Sequence, residues 1–249
     1  MPRAALLAHS SALISRLRSL APVSESDIAY LMTNLGLVER YPSHAELLRE
    51  GETIPGPRYV LEGWALRTRF LSDGRRQVFG FVLPGEAYGL CEREQPLALA
   101  NIISCTPLAL CDASLVRSAC LGLTHDFPEI TRAHQRALAL DEAYLLNQVI
   151  RIGRQTAYER LVHLLLELHS RCQAAGLCDA TSFELPLTQE ILADSLGLSI
   201  VHVNRTLQTL RREQLIEQRS SIVTIKDKAR LVAISEYSDP QIALSRRRN

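Results

Sequence analysis

Between Leu187 and Leu207 the chain reads LTQEILADSLGLSIVHVNRTL, its densest run of side chains able to recognise a polar partner. Ser199, Ile200, Val201, His202, Asn204 and Arg205 crowd the front of a single predicted helix. A guanidinium offers two donors that match O6 and N7 of guanine, and a side-chain amide pairs with N6 and N7 of adenine. On that chemistry Arg205 is the strongest base-contact candidate, a guanine reader, and Asn204 is an adenine reader. Ile200 and Val201 suit thymine methyls, although one of them could instead be core. His202 is either a further base contact or an ordinary surface histidine. Thr188 and Ser199 stand at helix starts, where backbone N–H groups favour phosphate. Arg211, Arg212, Lys226 and Lys228 would add charge for the phosphate backbone, or simply form a solvated face. These residues point to binding and not to catalysis. The chain carries no P-loop, GxGxxG, GxSxG or HExxH run and no evident carboxylate pair, so an enzyme is not expected.

The other reactive side chains are six cysteines, Cys91, Cys105, Cys111, Cys120, Cys172 and Cys178. None has CxxC or finger-like Cys/His spacing, so no metal site is expected. Cys172 and Cys178 lie near the entry to the segment above, where oxidation would alter binding; buried structural thiols are the plainer reading. Cys105 and Cys111 would share a face on one strand, but Pro107 between them makes an uninterrupted strand doubtful.

The elements needed to position the binding residues are legible around them. Thr188 and Ser199 cap two successive helices, and Ala193, Gly197 and Val203 have helix-turn-helix spacing. Glu217 to Ile225 reads as a hairpin turning at Ser220-Ser221, a wing. Upstream, Arg154 to Cys172 forms a helix with a leucine-rich face, and Gly153 reads as a joint. From Asp126 to Ile152 there is no glycine, and Pro128 sits in the first turn where it is tolerated. In that long helix Leu138, Leu145 and Ile152 recur every seven residues with Val149 beside them, while Ile130, Ala137 and Tyr144 mark a neighbouring face. Either one stripe packs against a second copy of the helix in a homodimer, or both form one broad core-facing stripe in a monomer. In the front half Gly51, Gly63, Gly74 and Gly85 are spaced 12, 11 and 11 apart, with β-prone runs between them. Such turns predict an antiparallel roll, with strands at Tyr59–Leu61, Trp64–Leu71 and Gln77–Leu83 and a further pair around Pro107. Ser24 caps a helix before the roll, and the segment from Arg3 to Arg18 reads as a surface helix.

A glycine-punctuated roll, a long helix and a C-terminal winged helix-turn-helix together resemble the Crp/Fnr family of bacterial transcription regulators. Gly51-Glu52, Pro84-Gly85-Glu86 with Gly89, and Leu187 to Leu215 carry the resemblance, which covers nearly the whole chain. It implies an α+β protein with four parts. Residues 1–125 form an N-terminal antiparallel β-roll, a cyclic-nucleotide-binding-like jelly roll, with its leading helix. Residues 126–153 form a dimerisation helix using Leu138, Leu145, Val149 and Ile152. Residues 154–235 form a winged helix-turn-helix, and 236–249 a C-terminal tail. The implied function is sequence-specific regulation from a two-fold-symmetric promoter site, with double-stranded DNA and a second copy as partners and RNA polymerase as a further candidate. The signal would enter at the roll or through cysteine oxidation. A non-DNA signalling or scaffold protein is the alternative, since winged helices also bind proteins.

Departures from the family pattern narrow the cofactors. Leu90 stands where cyclic-nucleotide-binding members carry Glu, and Leu97-Ala98-Leu99-Ala100 stands where they carry an Arg-Ser or Arg-Thr pair. Without that arginine the charge-assisted grip on a cyclic phosphate is lost, Arg93 being the nearby substitute, so cyclic AMP is not expected to bind. The first cysteine is Cys91, which excludes the N-terminal cysteine group of iron–sulfur members. His44 and His134 are candidate haem ligands only as lone histidines, so no cofactor is predicted. Where familiar members read cytosine with Glu, Val201 stands, so the target sequence should differ from theirs.

No run of about 18 apolar residues is present, so no membrane span and a cytoplasmic location are expected. The net charge of +1, from 28 basic and 27 acidic residues, conceals a partition. Residues 1–150 hold 14 basic and 16 acidic side chains, whereas Ser199 to Arg230 hold 7 basic and 3 acidic. A basic segment behind a faintly acidic front half is the electrostatic footprint of a nucleic-acid reader.

Overall fold

The computed structural model describes residues 10–90, 96–123 and 127–241. Cys91 and Arg93 lie outside the described residues. Two helices, α1 (Ser11–Leu20) and α2 (Glu25–Asn34), lead into strands β1 (Glu39–Tyr41), β2 (Glu46–Leu48), β3 (Arg58–Glu62), β4 (Ala65–Phe70), β5 (Arg76–Val82), β6 (Ala87–Tyr88), β7 (Asn101–Ser104) and β8 (Leu108–Asp112). Helices α3 (Ser114–Cys120), α4 (Pro128–Arg154) and α5 (Ala157–Ala174) follow. The chain closes with β9 (Ser182–Glu184), α6 (Gln189–Leu196), α7 (Ile200–Arg212), β10 (Ile216–Arg219), β11 (Ile222–Ile225) and α8 (Lys228–Ser235). It packs as two compact units. One holds Met1–Arg69, Phe81–Ala139 and Ala174–Gly176; the other holds Phe70–Gly80, Leu140–Gln173 and Leu177–Asn249.

The expected roll forms most of the first unit, with Phe70–Gly80 of its β4–β5 hairpin counted in the second. Two four-stranded sheets run in the orders β1-β8-β3-β6 and β2-β7-β4-β5. Their inward residues, including Val60, Ala65, Val82, Ile102, Leu108 and Leu110, form one buried cluster. Strands alternate inward and outward side chains, so apolar residues at period two build that cluster while their neighbours face away. Cys105 sits in the turn between β7 and β8 and Cys111 on β8, both buried, so Pro107 does divide them into separate elements. Burial pushes the Cys111 thiol up to about 12.

All four periodic glycines adopt positive φ. Gly85 does more than turn: a Cβ there would lie 2.7 Å from the Ala12 carbonyl oxygen and 2.8 Å from Arg16 Cβ. The bare backbone therefore lets α1 lie directly on the turn. Over Ser11 to Arg18 that contact corrects the expectation of a surface helix, because Ala12, Leu13 and Leu17 are buried, as is Leu20 beyond them; residues 3–9 lie outside the described residues. Ser24 caps α2 as expected, its hydroxyl accepting from the Asp27 N–H at 3.1 Å.

In the second unit three boundaries differ from the sequence reading. The long helix continues through Gly153 to Arg154, and the break falls at Gln155-Thr156. There Thr156 N–H donates to Glu159 Oε2 at 2.7 Å, while Glu159 N–H donates to Thr156 Oγ1 at 3.4 Å. This reciprocal cap starts α5, so the joint is made by a capping box and not by a glycine. Residues 182–184 add a third strand to the wing, giving the order β10-β11-β9. Residues 237–241 are not a loose tail. Tyr237 is buried with its ring edge-on to His163 at 5.0 Å, Asp239 accepts from Ser170 Oγ, and Gln241 Nε2 donates to the same hydroxyl at 2.8 Å.

Candidate nucleic-acid interface

Local chemistry fixes the two helices that carry the candidate residues. Thr188 Oγ1 accepts from Ile191 N–H at 3.2 Å and starts α6. Gly197 takes the left-handed conformation, φ 63°, and ends it. Ser199 Oγ then accepts from His202 N–H at 3.3 Å and starts α7. Each cap satisfies backbone donors that the first helical turn leaves without partners.

The opposite end of α6 is held by side chains. Its last carbonyls lack intrahelical donors. Gln77 Nε2 donates to Asp194 O at 2.9 Å, Gln148 Nε2 to Ser195 O at 2.5 Å, and Arg160 Nη1 to Leu196 O at 2.9 Å. Arg76 also pairs with the Asp194 carboxylate at 2.6 Å. The helix preceding the turn is thus anchored by side chains from three elements, β5, α4 and α5.

Helix α7 buries Val203, Thr206, Leu207 and Leu210. At 3.6 residues per turn the side chains diametrically opposite are Val201, Arg205, Gln208 and Arg212, and all four are exposed. Ile200 and Val201 are 49% and 59% exposed, so neither is core. His202 lies on the flank with Nδ1 3.2 Å from Ser199 Oγ. Asn204 is half-buried and committed at both ends: Nδ2 donates to Gln189 Oε1 at 3.1 Å and Oδ1 accepts from Gln208 Nε2 at 2.7 Å. Gln208 and Gln189 were missed from the sequence. The i, i+4, i+7 spacing from Val201 could have found Gln208; nothing local flagged Gln189.

The candidate phosphate contacts are placed unequally. Thr188, Ser199, Arg211, Arg212, Lys226 and Lys228 are all exposed. Lys226 Nζ, however, lies 2.8 Å from Glu217 Oε2, and Arg219 Nε lies 2.6 Å from Glu217 Oε1. These two cations hold the Glu217 carboxyl below its usual range, the hydrogen bond from Lys226 first, so much of the wing's charge is locally balanced. The wing itself turns at Ser220-Ser221 as expected, with Ile216 opposite Ile225 and Arg219 opposite Ile222.

Behind the reading helix, α4 and α5 share a buried ionic cluster. Arg151 donates to Glu167 Oε2 at 2.8 Å and to His163 Nδ1 at 3.1 Å. Arg171 lies 3.7 Å from Glu167 Oε1 with its guanidinium 4.5 Å over the Tyr144 ring. Desolvation, then the Arg151 charge, holds the His163 imidazole down to about 4, so at neutral pH it is an acceptor for Arg151. The cysteines near this entry are poorly suited to redox chemistry. Cys172 is buried, and desolvation pushes the Cys178 thiol up to about 11. A thiol attacks as its thiolate, so this environment opposes the role proposed for Cys178.

Along α4 the two apolar stripes separate. Ile130, Ala133, Leu140 and Tyr144 are buried within the chain, whereas Leu138, Leu145, Val149 and Ile152 are between 41% and 62% exposed. Leu146 and Ile150 widen that exposed stripe. Among the described residues no helix is long and apolar enough to cross a membrane.

A jelly-roll unit, a long helix with an exposed apolar stripe, and a winged helix-turn-helix with a solvent-facing reading helix define a DNA-binding transcription regulator. Residues 159–234 match the Crp-like helix-turn-helix domain. The nitrogen fixation regulation protein FixK of Rhizobium meliloti is 31% identical over 195 residues, covering 76% of this chain and 82% of that protein. FixK of Azorhizobium caulinodans is 27% identical over 223 residues, covering 86% and 85%. The structure of FixK2 from Bradyrhizobium japonicum superimposes with a TM-score of 0.70 at 24% identity, covering 81% of this chain and 98% of that one, and so shares the fold. The chain belongs to the Crp/Fnr family of transcription regulators. These relatives give the protein-scaffold alternative no support.

Proposed function

We propose that the protein regulates transcription from a two-fold-symmetric promoter site, binding as a homodimer in the cytoplasm with RNA polymerase as a further partner. Arg205 reads a guanine, with Val201 and Ile200 against neighbouring thymine methyls and His202 at the edge of the contact. Thr188, Ser199, Arg211 and Arg212 hold phosphates, helped by Lys226 and Lys228. The observation that carries this reading is the exposed line through Val201 and Arg205 on a helix whose opposite face is fully buried. Leu138, Leu145, Val149 and Ile152 supply the contact between the two copies, since an exposed leucine-rich heptad stripe is suited to pairing with itself.

The decisive experiment is selection from random duplexes, with and without oxidant, followed by titration at several salt concentrations. A preferred two-fold site whose affinity falls steeply with salt supports the reading, because phosphate contacts release counterions. No preference in either redox state removes it. We further propose that control enters at the roll without cyclic AMP. Leu97 and Leu99 are exposed apolar side chains in the segment where family members place the phosphate-binding arginine. Calorimetric titration with cyclic AMP should give no binding, and micromolar affinity would overturn this part.

A further inference from the structure

The amides on the reading surface form a chain across the helix-turn-helix. Gln208 Nε2 donates to Asn204 Oδ1 at 2.7 Å, and Asn204 Nδ2 donates to Gln189 Oε1 at 3.1 Å. Gln189 opens α6, while Asn204 and Gln208 lie one turn apart on α7. Bidentate recognition of adenine needs one carbonyl oxygen and one N–H of a single amide turned together to the base edge. Asn204, half-buried, has its oxygen and one N–H engaged inside the protein. Gln208 has given one N–H to Asn204, and a primary amide keeps a second N–H and a carbonyl oxygen. It is exposed on the line that holds Val201 and Arg205. Three residues beyond Arg205, it lies about 4.5 Å further along the helix axis, comparable to one base-pair step. A free glutamine must also lose rotamer freedom to hold one amide plane. The bond to Asn204, itself tied to Gln189 on the preceding helix, restricts that plane before DNA arrives.

We propose that Gln208 is a specificity-determining residue of this protein. It takes an adenine through Oε1 to N6 and Nε2 to N7, with Asn204 and Gln189 as positioning residues and Asn204 not itself a reader. The assignment departs from the adenine contact expected of Asn204 and rests on the DNA-binding reading above.

The test compares selected sites for the wild-type protein, Gln208→Ala, Asn204→Ala, Asn204→Asp and Gln189→Ala, each first checked for wild-type thermal stability. Gln208→Ala should lose roughly tenfold of the preference for adenine at one position per half-site and leave the Arg205 position intact. Asn204→Ala should relax that same position. Asn204→Asp, which keeps the acceptor for Gln208, should restore most of the preference, an outcome that a merely structural asparagine would not give. Gln189→Ala should act as a weaker form of Asn204→Ala. The proposal is overturned if Gln208→Ala weakens all duplexes equally, which makes Gln208 a phosphate contact. It is equally overturned if Asn204→Ala relaxes a position different from that of Gln208→Ala, which makes Asn204 the reader. Absence of any sequence preference in the wild-type protein would instead sink the DNA-binding reading itself, so the two failures are distinct.

Discussion

At the scale of single residues, function on α7 depends on which few side chains face away from the core. Arg205 is the exposed cation on that line nearest the helix start. Arg205→Ala should relax preference at one position per half-site and cost about 1–3 kcal/mol of specific binding, measured by competition between selected and single-mismatch duplexes. A loss equal across sequences would demote it to a phosphate contact. Val201 offers the complementary gain, because a carboxylate accepts from cytosine N4 where a valine cannot. Val201→Glu should therefore move the selected base at that position toward cytosine, read by repeating the selection. Gly197 tests the turn between the helices. A Cβ there meets only Arg160 Nη1, at 3.6 Å, so the space is open and the backbone alone objects. Gly197→Ala should cost about 1–2 kcal/mol in thermal or urea unfolding, and Gly197→Asn less, since asparagine tolerates the left-handed region. Caps and turn were legible in the sequence because Thr188, Gly197 and Ser199 act on backbone a few residues away. The bond from Asn204 to Gln189 was not, because its partners are brought together only once the two helices cross.

Among elements, α4 and α5 are joined by charge as well as by leucine. Glu167 is a buried carboxylate facing two buried guanidiniums, Arg151 and Arg171. Removing one member of such a cluster leaves uncompensated buried charge, so Glu167→Gln should destabilise by about 3–5 kcal/mol in denaturant unfolding. A wild-type unfolding midpoint in that variant would show that water or another carboxylate already serves the arginines. His163 adds a dependence on pH. Its folded-state pKa of about 4 lies below the ordinary 6.5, so the unfolded chain takes up a proton first as pH falls. This contribution is fully present above about 6.5 and is lost between 6.5 and 4, as the histidine charges in the unfolded state but not in the folded one. Melting temperatures measured across that window should fall less steeply for His163→Gln than for the wild type. The element types were legible from periodicity, turn glycines and caps, whereas the α4–α5 boundary slipped because Gly153 is a louder breaker than the Thr156 to Glu159 capping pair. The pairing of Arg151 with Glu167 was hidden for another reason: it crosses that break, and the i, i+4 spacing of Glu167 and Arg171 explains only half the cluster.

Across the whole molecule, a net charge near zero is compatible with DNA binding because most of the basic surplus is concentrated in Ser199 to Arg230. The structure tempers that surplus, since Glu217 pairs with both Arg219 and Lys226 on the wing. Each chain therefore presents a modest field, and under the proposed homodimer reading two such readers on one duplex would supply the strong binding. The side chains suited to holding two copies together are those of α4 that the chain itself leaves exposed. A leucine or valine on that stripe gains burial only from a partner, at about 25 cal/mol for each Å² covered, whereas a carboxylate placed there would have to be desolvated opposite its own copy. Val149, 62% exposed in the single chain, is the most open of the four interface candidates, so the change should leave the folded chain intact. Val149→Asp should shift the sedimentation coefficient from dimer to monomer without lowering the cooperativity of unfolding of the single chain. The same variant should bind a two-fold duplex no better than a half-site, while the base preference set by α7 survives at high protein concentration. If Val149→Asp remained dimeric and kept its preference for two-fold sites, the stripe would not be the dimer contact. If it became monomeric yet still preferred the two-fold site over the half-site, cooperativity would have to arise through the DNA and not through α4.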